Sequence, residues 1–223
     1  MRMATLCLFS MGLAMTTMTS GMESNRRLSL PPIESKGELS IEEALERRRS
    51  VRDFGRDRLD LADVSQLLWS AQGLTGRRGF RTAPSAGALY PLELYVVAGN
   101  VEGLSAGVYH YRPKKHELVS LANGDLRRPL ALAALDQRWV SRAPAVLVIA
   151  AVYERTAKKY GQRARRYVHM EVGFAAQNIY LQATARSLGT VMVGAFDDNA
   201  VQDVLGLPSD HEPLGLMPVG RKQ

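Results

Sequence analysis

The sequence is poor in the residues that build metal centres. It contains one cysteine, Cys7, and four histidines among 223 residues. A single cysteine excludes an internal disulfide framework and every zinc or iron–sulfur site that needs several thiolates. The histidines, at positions 110, 116, 169 and 211, lack the paired spacing of metal ligands. We therefore expect no bound metal.

Several familiar catalytic and nucleotide-binding motifs are also missing. The chain has no G-x-S-x-G nucleophile motif, no P-loop and no G-x-G-x-x-G fingerprint, because Gly73, Gly76 and Gly79 are spaced too widely for the last of these. The sequence therefore gives no direct sign of serine hydrolysis, of P-loop nucleotide hydrolysis or of a dinucleotide-binding Rossmann unit.

The composition is that of a globular protein. Hydrophobic residues make up 46% and charged residues 23% of the chain, which argues against disorder, collagen and coiled coil. The chain has 29 Lys and Arg against 22 Asp and Glu, a formal charge of +7. This charge leaves a nucleic-acid or anionic-surface binder as an alternative, but the exposed aromatic pattern of a stacking surface is missing. We expect no nucleic-acid partner.

The chain divides into a leader with a linker, residues 1–38, and one domain, residues 39–223. A Met-rich apolar run from Met3 to Met18 follows Arg2. It is either a signal peptide or a disordered leader, and it is too short for a stable membrane span. We expect a cytoplasmic protein, with export through a signal peptide as the alternative, and an extended linker from Leu28 to Gly37.

The pattern of the domain predicts an α+β fold without internal repeats. Ser40 and Glu43 form a capping box that starts a helix at Ile41. Asp60 is expected to cap the next helix and Gly73 to end it in a left-handed conformation. The helix from Tyr167 to Ala183 is apolar nearly all round, so we expect it to be buried. The other predicted helices are 125–135, 154–188 with a break near Gly161, and 199–205, and the predicted strands are 92–98, 108–111, 118–121, 145–152, 190–193 and 214–219.

Arginines are concentrated where the first helix ends. Arg47, Arg48, Arg49 and Arg52 surround Ser50. Cations at a helix C-terminus offset the macrodipole, which explains one or two of them. Four of them within six positions repel one another unless an anion lies between them, and a hydroxyl with guanidinium groups makes a phosphate site. An anion site and a solvated charged surface both remain open at this point.

Four ordered motifs carry a resemblance. They are RRSVRDF at 48–54, APSAGALYP at 83–91, VGAFDD at 193–198 and MPVGR at 217–221. Together they resemble the FMN-dependent nitroreductase-like superfamily, and within it the SagB-type azoline dehydrogenase branch. The resemblance implies a central mixed, mainly antiparallel sheet flanked by helices. It also implies a homodimer with FMN at the interface.

The resemblance assigns the cofactor site residue by residue. It implies that the FMN phosphate is held by Arg48, Arg49, Ser50, Arg52 and Arg221. The loop that lies along the isoalloxazine, usually from the partner subunit, matches Pro84, Ser85 and Ala86. The stretch that passes the flavin edge matches Val193, Gly194 and Ala195. Gln137 falls where a polar side chain often meets the flavin pyrimidine, although a surface Gln is the alternative.

Catalytic residues are implied less directly. Lys159 and Tyr160 resemble the Lys-Tyr pair that azoline dehydrogenases use for proton removal, and burial would lower the pKa of such a lysine. The alternative is a solvated helical face, since basic residues crowd this segment. Phe174 departs from relatives, which often carry His there. Trp69 and Trp139 are interpreted as packing residues.

The resemblance implies an FMN-dependent oxidoreductase that transfers hydride through flavin N5. In one form, NAD(P)H reduces the flavin and a nitro or quinone-type acceptor reoxidises it. In the other, a small molecule or peptide carrying an azoline-like group is dehydrogenated. A flavin-binding protein without turnover is a further alternative.

Overall fold

A computed structural model describes residues 26–76 and 78–223. The leader, on which the choice between a signal peptide and a disordered segment depends, lies outside the described residues. That choice and the division at residue 38 therefore stay predictions. Within the described residues, no helix is both long enough and apolar enough to cross a membrane.

Short strands alternate irregularly with helices along the chain. The strands are β1 (Arg27–Ser29), β2 (Leu59–Asp60), β3 (Leu74–Thr75), β4 (Phe80–Arg81), β5 (Leu92–Ala98), β6 (Val101–Glu102), β7 (Gly107–Arg112), β8 (Glu117–Asn123), β9 (Ala145–Ala151), β10 (Leu188–Thr190) and β11 (Glu212–Arg221). The helices are α1 (Ile41–Arg47), α2 (Leu61–Gln72), α3 (Arg127–Ala133), α4 (Arg138–Arg142), α5 (Tyr153–Tyr160), α6 (Ala164–Ala185) and α7 (Asp198–Leu205). Two 3₁₀ turns, Ala86–Ala88 and Gly161–Arg163, complete the set.

Seven strands form one sheet in the order β1-β8-β7-β5-β9-β11-β10. Every pairing in this sheet is antiparallel. Parallel pairing occurs between β2 and β6 and in the bridge of Ser50 with Thr190. The expected α+β fold with a mainly antiparallel sheet is confirmed. The expected linker is partly integrated into the fold, because β1 pairs with β8 and Leu30 is buried.

The sheet separates two hydrophobic cores. All seven residues of β9 are buried, as a strand covered on both faces requires. One face packs against α2 and α6, and the other packs against α3, α4 and α7. Each fully buried Leu, Ile or Val contributes about 1.5–3 kcal/mol through removal of its surface from water. The sheet therefore gives the helices, and the site residues they carry, a rigid platform.

Local sequence signals identify most helix ends, with two corrections at α2. The capping box of α1 is confirmed, with bonds of 3.2 and 3.0 Å between Ser40 and Glu43. Asp60 precedes α2 but makes no side-chain cap bond, because its carboxylate accepts from Arg221. Gly73 has φ −67°, not a left-handed value, since the chain runs straight on into β3. A Cβ there would lie 2.1 Å from Trp69, so close packing explains the glycine.

Helix α6 is less buried than its composition suggests. The break near Gly161 is confirmed, and α6 then runs for 22 residues. Met170 is 50% and Phe174 is 45% exposed, so the prediction of burial all round is wrong for one protomer. The hydrophobic side chains on this side of α6 have no cover within the described part of the chain. The strand expected at 190–193 is also displaced, to β10, and Val193 instead forms a bridge with Leu216.

A buried charged network ties β5 to α5. The Glu93 carboxylate accepts from His110 Nε2 at 2.6 Å and forms an ion pair with Arg155. Tyr95 stacks on His110 with ring centroids 4.4 Å apart. Burial alone would raise the pKa of Glu93, but the His110 hydrogen bond and the Arg155 charge outweigh it and lower that pKa to about 2.

Glu93→Gln should remove a pH-dependent part of the stability. A carboxyl with a lowered pKa stabilises the fold above its unfolded pKa, and this stability is lost as the pH falls toward the folded pKa. The lowering from 4.5 to about 2 corresponds to roughly 3 kcal/mol. Denaturant unfolding between pH 7 and pH 2 should show that the free energy of unfolding of the wild type falls by this amount below about pH 4.5. Glu93→Gln should be less stable than the wild type at pH 7, and its stability should depend less on pH. The exposed Glu154→Gln is the control, and a wild-type profile that matches Glu93→Gln contradicts the assignment.

Candidate flavin site

The first group of site residues lies where the chain leaves α1. The backbone of Val51 donates to Thr190 O at 2.9 Å, which aligns this segment with β10. The Ser50 hydroxyl lies 3.2 Å from the Tyr180 hydroxyl, which also accepts from the Met192 amide at 2.7 Å. Ser50 is therefore fixed between β10 and the second half of α6, and it remains exposed.

The arginines around Ser50 spread to both sides of it. The Arg48 guanidinium lies over the Tyr180 ring at 5.2 Å, and that of Arg52 lies over Trp139 at 5.6 Å. Arg49 donates to the carbonyls of Glu46 and Arg48, both at 2.7 Å, as a helix-end cation does. Within residues 26–76 and 78–223, none of these three arginines forms a salt bridge with a carboxylate.

Arg221 does not join this group through its side chain. The two segments touch through their backbones, since Phe54 pairs with Lys222 and the Gly55 amide donates to Arg221 O. The Arg221 guanidinium instead donates to Asp63 at 2.9 Å and Asp60 at 3.2 Å. Asp63 is 2% exposed and also binds Arg186. The convergence of Arg221 with Arg48 and Arg52 is therefore not seen, because Asp63 on α2 and Asp60 just before it hold the Arg221 guanidinium.

Lys222 is a further basic residue at the end of β11, and the prediction from the sequence did not include it. Side chains alternate along an extended strand, so the position after Arg221 belongs to the opposite face of the sheet. This is the side on which Phe54 packs against Gly220. The alternation of the strand ending MPVGRK was the signal that could have found it.

Gln137 lies against the 193–195 stretch. Val193 is buried and exchanges two backbone bonds with Leu216, at 2.8 and 3.0 Å. Gly194 and Ala195 are exposed, and the space where a Gly194 Cβ would lie is open. Gln137 Nε2 donates to Ala195 O at 2.7 Å and to Ala134 O at 2.9 Å. Gln137 therefore fixes the backbone of this stretch and is not a freely solvated surface residue.

Two buried polar atoms beside this region lack partners. Among the described residues, Thr190 Oγ1 and Trp139 Nε1 make no hydrogen bond. Thr190 pairs with Ser50, and Trp139 lies under Arg52. Unpaired cations, unsatisfied polar atoms and accessible backbone in one region fit a ligand with an anionic tail and a planar polar edge.

A second group of residues forms around the 84–86 loop. The Ala86 amide donates to Glu171 at 2.9 Å, and Ser85 Oγ accepts from the Tyr90 amide at 2.8 Å. A Cβ built on Gly87 would lie 3.0 Å from the Tyr160 hydroxyl and 3.1 Å from Lys159 Nζ. The structure therefore places the Lys-Tyr pair against this loop. Lys159 is exposed, not buried as a desolvated lysine would be.

Helix α6 holds the two groups apart. Glu171 contacts the loop and Tyr180 contacts Ser50. Nine residues of α-helix span about 13 Å and two and a half turns, so these positions face opposite ways. A ligand that touches both groups in one protomer would have to pass around the helix.

A cavity of about 710 Å³ does not coincide with either group. It lies between residues 34–44, α2 and α6, and its lining includes Arg221, Asp63 and Arg186 but neither Ser50 nor Gly194. Ser50, Gly194 and Ala195 instead lie exposed at the surface.

Comparison with known proteins gives the class and then the family. The fold resembles solved oxidoreductase structures, including a chain from Ralstonia eutropha (29% identity, 89% of this chain and 90% of that one, TM-score 0.78). A second match is to the E. coli microcin synthetase McbBCD complex with truncated pro-MccB17 bound (25% identity, 97% and 85%, TM-score 0.72). The nitroreductase family model matches residues 45–221. The chain belongs to the nitroreductase family, whose members are oxidoreductases that generally depend on a flavin.

The curated relatives differ in how much of their length is matched. A protein of Methanocaldococcus jannaschii named as a candidate nitroreductase is 50% identical over 90% of this chain and 99% of its own length. The Microcin B17-processing protein of Escherichia coli is 28% identical over 68% of this chain, and the match spans 58% of that protein.

Two substitutions test whether Arg221 belongs to a structural ion network. Asp63→Asn should destabilise the fold by about 3 kcal/mol, because it leaves Arg186 and Arg221 without their buried partner. Asp60→Asn, which removes only the exposed partner of Arg221, should cost less than about 1 kcal/mol. Urea unfolding measures both. Equal effects would show that the buried contact with Asp63 does not anchor Arg221.

Proposed function

We propose that the chain is an FMN-dependent oxidoreductase in which Ser50, Arg48 and Arg52 bind the flavin phosphate. The observation that carries this proposal is the set of arginines around Ser50 without a carboxylate partner, next to the exposed backbone of Gly194 and Ala195. A phosphate dianion needs several donors from more than one segment, and charge-assisted hydrogen bonds contribute about 1.5–3 kcal/mol each.

The neighbouring residues have supporting roles in this site. Arg49 caps α1 and adds positive charge. Arg221 anchors β11 to α2, so its contribution to the phosphate is electrostatic, and Lys222, which pairs with Phe54, adds a further positive charge at this end of β11. The amides of Gly194 and Ala195 would face the flavin edge, where a fixed N–H stabilises developing negative charge. Gln137 holds that backbone in place through Ala195 O.

The site is completed by a second copy in this proposal. Met170 and Phe174 flank Gly173 on the exposed side of α6, and hydrophobic side chains of this kind beside a small residue favour helix contact across an interface. Because α6 separates the 84–86 loop from Ser50, a homodimer would let Pro84, Ser85 and Ala86 of one protomer reach the flavin held by the other.

The Lys-Tyr pair favours dehydrogenation of an azoline-like group. FMN supplies hydride acceptance at N5 when it is bound. Lys159, with Tyr160 beside it, would remove the proton that leaves the substrate together with that hydride, so the substrate loses two electrons and two hydrogens. Oxygen or another acceptor takes the electrons afterwards. A Cβ built on Gly87 would lie 3.0 Å from the Tyr160 hydroxyl and 3.1 Å from Lys159 Nζ, so this pair lies beside the loop that is expected to lie along the flavin.

Reduction by NAD(P)H is the second candidate. The support is membership of the nitroreductase family, and one structural neighbour, from Vibrio harveyi, is an NADPH:FMN oxidoreductase solved with NAD+. Its likeness, at 20% identity and TM-score 0.61, concerns the fold alone. The sequence carries no pyridine-nucleotide fingerprint of its own.

The phosphate site is tested with Arg48→Ala/Arg52→Ala. Loss of two charge-assisted contacts should weaken FMN binding at least about a hundredfold while circular dichroism stays that of the wild type. Arg47→Ala is the matched control, because Arg47 already pairs with Glu43 at 3.1 Å. Flavin fluorescence titration of the apoprotein measures both variants. Undiminished FMN affinity in the double variant would remove the proposed site.

The reaction is tested by anaerobic mixing of the FMN-loaded protein with a thiazoline-containing peptide, NADH or NADPH. We expect the peptide to bleach the flavin absorbance, and Lys159→Met to slow this at least about a hundredfold, as loss of a general base does, without loss of FMN. Lys158→Met is the control. Bleaching by NADH or NADPH alone would assign the nitroreductase reaction, and no bleaching by any of the three would favour a non-catalytic flavin protein.

A further inference from the structure

The loop that carries Ser85 and Ala86 has an unusual backbone. Gly87 has φ +64°, Ala88 +53° and Tyr90 +48°. Two of these residues have side chains, for which left-handed conformations cost roughly 1–3 kcal/mol each and persist only when the surroundings enforce them. The shape of this loop is therefore imposed by contacts outside it.

One side of the loop is held by Glu171 on α6. The Ala86 amide donates to Glu171 Oε1 at 2.9 Å, and the nearby Ser85 hydroxyl partly offsets the effect of burial on the pKa of this carboxyl. Ser85 Oγ in turn accepts from the Tyr90 amide at 2.8 Å. Glu171 therefore holds the start of the turn at Ala86, and the Ser85 hydroxyl links that start to the end of the turn at Tyr90.

The other side is held by two arginines on Tyr90. The Arg81 amide donates to the Tyr90 hydroxyl at 3.3 Å, and its guanidinium lies over the ring at 4.6 Å. Arg155 donates to Tyr90 O at 3.1 Å and is itself fixed by Glu93. These contacts position the end of the loop but do not reach Ser85 or Ala86.

The structural role of the buried Glu171 lies in its bonding to this loop. It is 3% exposed, and burial raises the pKa of its carboxyl, so its charge is costly where it stands. Among the described residues it forms no salt bridge, and Arg81 is the charged group that acts on it. A buried carboxylate whose hydrogen bonds all go to one loop is explained by what it does to that loop.

We propose that Glu171 is a positioning residue that fixes Ser85 and Ala86 and thereby sets Gly87 against Lys159 and Tyr160. The conformational part stands on the geometry alone. Its catalytic consequence rests on the proposed function, because only there do the loop and the Lys-Tyr pair meet a flavin and a substrate. Without Glu171 the loop should relax from its left-handed conformation and lose its contact with the pair.

Hydrogen–deuterium exchange of peptides covering 83–90 tests the conformational part directly. In Glu171→Ala we expect these amides to exchange at least tenfold faster. In Glu171→Gln, which keeps a carbonyl acceptor without the charge, we expect a three- to tenfold increase. Glu117→Gln is the matched control, because this buried glutamate pairs with Arg27 at the sheet edge, far from the loop. Exchange within twofold of the wild type in Glu171→Gln, or in a folded Glu171→Ala, overturns the proposal.

The catalytic part is read from the FMN-loaded protein. With the substrate that bleaches the wild type, Glu171→Ala should lower kcat at least tenfold while it weakens FMN binding less than Arg48→Ala/Arg52→Ala does, and Glu171→Gln should recover part of kcat. If the loop amides of Glu171→Ala exchange faster but kcat is unchanged, the proposed effect on catalysis is overturned, whereas the role of Glu171 in positioning the loop is supported. A wild type that binds no FMN rejects the proposed function, and the exchange comparison still decides the role of Glu171.

Discussion

Helix α6 is the constraint on which the rest of the site depends. One face of it is packed on the sheet, and its opposite sides hold Ser50 through Tyr180 and the 84–86 loop through Glu171. A 22-residue helix packed in this way is rigid, so the spacing of the two groups is fixed. Under the proposed function, a flavin that contacts both groups would draw on two copies of the chain. The exposed Met170 and Phe174 on the same helix offer the surface through which a second copy would come.

The helices and strands could be predicted from local sequence patterns, because residues close in sequence determine where they form. The structure has α2 at Leu61–Gln72 and β5 at Leu92–Ala98, the ranges expected from the sequence. The all-apolar run of β9 indicated a strand covered on both faces, which the two cores provide. Asp60 and Gly73 were misjudged because their roles come from distant or bulky neighbours. Arg221, 161 positions away, takes the Asp60 carboxylate, and the Trp69 ring fills the space at Gly73.

Only the parts of the site that lie within sequence motifs could be predicted. The Ser50 segment and the 193–195 stretch were recognisable, and the structure joins Gln137 to the latter. The partner of Arg221 was not, because an ion pair across the fold leaves no trace in the spacing of a single sequence. Burial of α6 was misjudged for a related reason, since composition does not tell which molecule covers a hydrophobic face. Glu171 left one signal: it is the sole acidic residue in α6, in a stretch otherwise mostly apolar.

The electrostatics around Ser50 argue that this region is built for a ligand. Arginines held near one another without a counter-ion raise the free energy of the folded protein by their mutual repulsion. Buried polar atoms without partners, such as Thr190 Oγ1 and Trp139 Nε1, add to that cost. By contrast, Asp63 forms ion pairs with both Arg186 and Arg221. A solvated charged surface accounts for the exposed arginines but not for unsatisfied atoms buried beside them, and this difference favours the proposed anion site over a solvated surface.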